Sequence, residues 1–222
     1  MKIFRLVTGG LLPFIALLWI PSSIGAQGAA GFKSNVSVPL GCGCRKQDET
    51  DLNSRMKSIE AMIAEYKALK PQYSAGKQTL TPEIRATIQR SVNAKRLAAK
   101  DPNAKDYGAN TSDLTCGTTI DDAATPCLRG AVDDHEKVHR DACKSHKGTD
   151  WRYNQLVVDY MQEEIDGYQK EWDRLHDEVN KMQAFCSLDP STRAILEQTA
   201  AQQKREEEAW ERLGMIEYTT LY

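Results

Sequence analysis

Residues 128–146 read Leu-Arg-Gly-Ala-Val-Asp-Asp-His-Glu-Lys-Val-His-Arg-Asp-Ala-Cys-Lys-Ser-His, and their periodicity sets the fold class. Leu128, Ala131, Val132, His135, Val138, His139, Ala142, Cys143 and His146 recur at steps that gather side chains on one face of an α-helix. Asp133, Asp134, Lys137, Arg140, Asp141 and Lys144 fall on the other side, as a solvated face. The stretch therefore reads as an amphipathic helix with His135 and His139 on its inward stripe. Imidazoles four residues apart on one helix face can bind one Zn²⁺, and Glu136 beside them can act as a general base toward water. A plainer reading leaves two partly buried histidines that bind nothing.

The flanking sequence extends the helical pattern. Leu52, Met56, Ile59, Ile63 and Tyr66 mark a helix ending near Pro71, and Thr81-Pro82 reads as an N-cap and first helical residue opening a second through Ile84, Ile88 and Val92. Residues 101–126 carry Asp-Pro, Tyr-Gly and many Asn, Ser, Thr and Asp, the composition of a long loop. After a break at Lys147-Gly148-Thr149, with Asp150 as N-cap, a long helix runs from Trp151 to about Phe185, its stripe being Val157, Met161, Glu164, Tyr168, Trp172, Leu175, Val179 and Met182. Asp189-Pro190 starts a last, charged helix. The fold class expected is mainly α, a helical domain whose long helical hairpin carries the histidines, with few short strands and disulfide staples.

Zinc that is to be catalytic needs a third protein ligand and an open fourth position. If the chain folds back near Gly148, Glu163 and Glu164 come within about one turn of the histidines, roughly 5 Å along the axis. Glu164 interrupts an apolar stripe, where a carboxylate is costly unless paired or bound to metal, whereas Glu163 is expected on the flank. Glu164 is the favoured third ligand; Asp150 and Glu163 are alternatives, Asp150 reading more simply as a helix cap. His146 and Cys143 lie too far along a straight helix to share the ion.

Taken together, His135, Glu136, His139 and Glu164 resemble the zincin metallopeptidases, specifically the gluzincin branch, in which H-E-x-x-H is followed by a glutamate on a second helix. Glu164-Ile165-Asp166-Gly167-Tyr168 is similar to an E-x-x-A-Y element of some bacterial metallopeptidase-like proteins, with glycine in place of alanine. Gly148-Thr149-Asp150 followed by Tyr153 is more weakly similar to the G-T-x-D-x-x-Y element of the aspzincin branch, one residue being missing. The resemblance implies a Zn²⁺ cofactor, a peptide or protein substrate, hydrolysis with Glu136 as general base, and a sheet edge above the motif helix that aligns the substrate. Asp166 or Asp134 would orient a ligand histidine, and Tyr168, His146 or Tyr160 would face the developing oxyanion.

Bulk properties bound the setting. Lys2 and Arg5, the apolar run Leu6–Ile20 and the small residues before Gln27 read as a signal peptide over 1–26, followed by an irregular arm over 27–49 with one short strand at Asn35–Leu40, and a single helical domain over 50–222. Cleavage after Ala26 leaves 196 of 222 residues and takes the formal charge from −2 to −4, because two positive charges leave with the peptide. No basic patch points to nucleic acid, and no second long apolar run predicts stable membrane insertion, so the expected location is secreted or periplasmic. Cys42, Cys44, Cys116, Cys127, Cys143 and Cys186 read as disulfides of an exported chain. Cys42 and Cys44 should each take a distant partner. Cys143 and Cys186 sit far apart on the expected hairpin, so each should pair with a cysteine of the arm or of the loop before the motif helix. Two other functions fit the same residues: a non-catalytic, disulfide-bonded helical interaction protein of the cell envelope, and a zinc-binding protein without turnover. Oligomeric state is left open.

Overall fold

The computed structural model describes residues 42–74, 76–105, 107–121, 124–146, 152 and 155–212. The expected signal peptide, the strand at Asn35–Leu40 and Asp150 lie outside the described residues. The described chain is mainly helical. Its elements are α1 (Lys46–Ser74), α2 (Pro82–Ala99), β1 (Ala109–Thr111), β2 (Thr118–Ile120), α3 (Pro126–His146), α4 (Val157–Cys186) and α5 (Pro190–Arg212).

Helix α1 starts at Lys46, inside the expected arm, because Asp48 and Glu49 supply the negative charge a first turn favours and Arg45 holds Asp48 at 2.8 Å. At its other end the helix passes Pro71 and stops at Ser74, whose hydroxyl donates to the Pro71 carbonyl at 2.8 Å. Helix α2 begins as its sequence predicts: Thr81 is extended and its hydroxyl accepts from the Ile84 amide at 3.3 Å, with Pro82 following.

The long helix is shorter than expected. Leu156 is held extended by an isolated bridge to Thr79, with Leu80 N donating to Gln155 O and Val157 N to Gln78 O, both at 2.9 Å. Helix α4 can start only after that bridge, at Val157.

Helix α4 packs against both α1 and α3, and α1 also packs on α2. Leu52, Ile59, Leu128, Val157, Tyr160 and Leu175 are fully buried where these faces meet, each aliphatic side chain contributing about 1.5–3 kcal/mol relative to exposure. Helices α3 and α4 run antiparallel, since His139 meets Glu163 while His135 meets Glu171. Residues 109–111 and 118–120 form an antiparallel hairpin within the expected loop, with Ala109 opposite Ile120, Asn110 opposite Thr119 and Thr111 opposite Thr118. It lies on α3.

Three disulfides staple this arrangement. Cys42–Cys127 and Cys44–Cys186 fasten the arm to the start of α3 and the end of α4, and Cys116–Cys143 fastens the hairpin tip to α3. Cys42 and Cys44 take distant partners, and Cys143 and Cys186 pair with loop and arm cysteines, as helix length requires. Among the described residues no helix is long and apolar enough to cross a membrane. Among the described residues of helix α5 none is buried.

Candidate metal centre

Helix α3 brings His135 and His139 to its buried face, 5 % and 7 % exposed. Their Nε2 atoms stand 3.0 Å apart. Across the interface, Glu164 on α4 places Oε2 3.9 Å from His139 Nε2. One ligand atom from each of His135, His139 and Glu164 lies within 4.8 Å of the other two, so the three can hold one metal ion. Two nitrogens and a carboxylate oxygen at such separations are a donor set that zinc accepts.

The far sides of the imidazoles explain why the Nε2 atoms face each other. His139 Nδ1 is 2.6 Å from Glu163 Oε1, and that carboxylate also accepts from Arg152 at 3.0 Å and Gln155 at 2.9 Å. His135 Nδ1 lies 3.3 Å from Glu171 Oε2 without an aligned hydrogen bond, and Glu171 is gripped by Arg55 through two bonds of 2.6 and 2.9 Å. The Glu163 carboxylate on His139 Nδ1 keeps the proton there and turns the His139 Nε2 lone pair inward. His135, with no aligned bond at Nδ1, can donate from Nε2 to that lone pair, and a metal ion between the rings would replace this proton and leave His135 protonated at Nδ1 beside Glu171.

The same contacts set the charge states. Burial disfavours charge on His139, but the Glu163 hydrogen bond and the charges of Glu164, Glu163 and Glu136 outweigh it and raise its pKa. Burial likewise opposes ionisation of Glu171, yet Arg55 and His135 win and hold its carboxyl at about 2. Glu163 is lowered too, its burial overcome by His139 and Arg152.

Several sequence expectations change here. Glu163 is not on the flank: it is buried and touches the far nitrogen of His139, which makes it an orienting group rather than a ligand. Asp166 is exposed and accepts from Gln162, and the carboxylates that meet the Nδ1 atoms of the two histidines are Glu171 and Glu163. His146 is exposed at the end of α3, bonded to the Ala142 carbonyl at 2.7 Å, not inward. Tyr160 is sealed in the core. Tyr168 is the aromatic of the three that reaches the site, its ring edge-on to His135 at 4.2 Å between centroids.

Glu136 is buried at the wall of a cleft of about 450 Å³, shared with His135, Tyr168, Glu171, Arg55 and Ala109. Its Oε2 accepts a 2.7 Å hydrogen bond from Thr111 of the hairpin, a contact that no sequence pattern announced. Glu136 and one of the three ligand residues, His135, thus line the same open cleft. Compared with known proteins, the chain matches no family model, no curated protein and no solved structure.

Proposed function

We propose that this chain is an exported zinc-dependent hydrolase of peptide bonds, of the metallopeptidase kind that its motif resembles. The observation that carries the reading is the convergence of His135, His139 and Glu164, with His135 and Glu136 together lining a cleft. Zinc in such a setting supplies Lewis-acid polarisation and makes water acidic enough to attack near neutral pH. His135, His139 and Glu164 would hold the ion, oriented by Glu171 and Glu163. Thr111 occupies Oε2 of Glu136, which leaves Oε1 to take a proton from the attacking water and to return it to the leaving amine. Tyr168, edge-on to His135 and lining the cleft, would be the group to meet charge growing on the carbonyl oxygen.

The cleft also supports a peptide as substrate. Asp121 N donates to Gly108 O and Ser112 N to Gly117 O, so Ala109 and Thr111 sit in the non-hydrogen-bonded positions of the ladder. Ala109, which lines the cleft, therefore turns its N–H and C=O away from β2, where an extended chain can pair with them. Three disulfides suit an oxidising compartment and hence export.

One observation favours a second reading, a disulfide-bonded interaction protein. No described residue of helix α5 is buried, and the helix exposes Ile195 and Trp210. Incubation of the purified protein with a peptide mixture, followed by mass spectrometry, separates the two. Cleavage by the wild type and none by a Glu136→Gln variant that keeps its zinc supports the hydrolase; zinc without cleavage in either leaves a zinc-binding protein, and no zinc leaves the interaction reading.

A further inference from the structure

We infer that Thr111, on the hairpin rather than on either motif helix, is a positioning residue for Glu136. The inference deepens the hydrolase reading and rests on it. Thr111 is 8 % exposed, and its hydroxyl lies 2.7 Å from Glu136 Oε2 and 2.8 Å from Thr118 Oγ1. Thr118 Oγ1 in turn accepts from an Arg140 guanidinium nitrogen at 3.0 Å, and the same nitrogen donates to Asp133 at 2.7 Å.

Each hydroxyl owns one proton, and this fixes the direction of the chain. An ionised carboxylate only accepts, so the Thr111 proton goes to Glu136. Thr111 then has only lone pairs for Thr118, whose proton must point to it, and Thr118 accepts from Arg140. Every proton in the row points toward Glu136. A threonine donating to one carboxylate oxygen assigns the other to the cleft, and a bond to an ionised group is stronger than one between neutral partners.

The fold holds Thr111 at this point by three means. Thr111 and Thr118 face each other in a non-hydrogen-bonded pair, the arrangement that brings side chains closest across an antiparallel ladder. Cys116 at the hairpin tip has a left-handed backbone, with φ of 55°, and is bonded to Cys143, one helical turn past His139. Arg140 reaches up from the exposed side of α3 to Thr118. The hairpin is thereby anchored to the helix that carries Glu136, at its tip and at its middle. A purely structural tie between hairpin and helix would use the same contacts, and the two roles differ in what the carboxylate reports.

The test compares the full chain with Thr111→Val, Thr111→Ser and Thr118→Val. Bound zinc is measured in each. The carboxyl ¹³C resonance of Glu136, identified by its loss in Glu136→Gln, is read in chelated protein, and hydrolysis of a peptide mixture in loaded protein. Thr111→Val should keep its zinc, move the Glu136 resonance and lower kcat by about tenfold or more with KM within about twofold, a part of the hundredfold or greater effect general bases have. Thr111→Ser should restore both. Thr118→Val should shift the resonance in the same direction by less, and it serves as the variant should Thr111→Val fail to fold. A resonance that stays in place, or one that moves while kcat does not, overturns the inference. Absence of hydrolysis by the wild type removes the hydrolase reading instead, and the resonance alone then upholds or overturns the hold of Thr111 on Glu136.

Discussion

Gly167 on α4 lies directly against the imidazole of His135: a Cβ placed there would stand 3.1 Å from Nε2 and 3.2 Å from Cδ2. A side chain at residue 167 would require the ring to give by a few tenths of an ångström. The E-x-x-A-Y element that this stretch is similar to carries alanine at the same place, so the glycine is fitted to this particular histidine rather than to the element.

Gly167→Ala should therefore push the His135 ring out of its place, while gaining slightly in helix propensity, by about 1 kcal/mol. Zinc affinity, measured by competition with a chromogenic chelator, is expected to fall by about tenfold or more, the size of effect seen when ligand orientation is disturbed. Unchanged affinity would mean that His135 does not use Nε2.

The division between ligand and orienting carboxylate gives a graded series. Glu164→Ala should remove most of the zinc, because it deletes one of three ligands. Glu163→Gln and Glu171→Gln should each keep a site but weaken it by about 10- to 100-fold. Isothermal titration of the three variants checks the order; a Glu163 variant that loses more zinc than the Glu164 variant would exchange the two roles.

Part of this was legible in the chain and part was not, for local reasons. The cap Thr81-Pro82 needs only neighbours in sequence, and the two histidines need only the helical repeat, so both read directly. Helix length excluded a bond between Cys143 and Cys186 and directed each to the arm or the loop, without naming the partner. The hairpin could not be read, since strands of three residues such as Asn110's and Thr119's show no alternation to detect. Glu171, and the orienting contact of Glu163, went unread because the stripe drawn through Glu164, Tyr168 and Trp172 is rotated from the face that α3 covers. Glu163, Gly167 and Glu171 recur every four residues along that face, and a glycine between two glutamates was the signal available. His146 kept the helical register, yet the register alone does not say where packing stops.

Separating Cys116 from Cys143 should loosen the hairpin more than the ligands. Cys116→Ser/Cys143→Ser opens a loop whose ends are 27 residues apart, worth roughly 3 kcal/mol of stability. Thermal unfolding should show the loss, while zinc content stays near that of the wild type because no ligand belongs to the hairpin. Loss of the metal in this variant would show that the ligands depend on the hairpin after all.

Acid should act on the chelated protein through Glu171. Its folded pKa, about 2, lies below the ordinary value of 4.5, so the stability it contributes is complete above that value and disappears as pH falls from about 4.5 toward 2. Denaturant midpoints for the wild type should decline across this window, and for Glu171→Gln the decline should be shallower. Parallel curves would assign the acid sensitivity to other carboxylates.

If His135, His139 and Glu164 form one zinc site, the metal content of the exported chain reports it. Protein recovered from the culture medium or periplasm without chelators should contain close to one zinc per chain by inductively coupled plasma mass spectrometry. His135→Ala, His139→Ala and Glu164→Ala should each reduce that content to a small fraction. A wild-type chain without zinc, or with zinc that survives all three substitutions, would contradict the account.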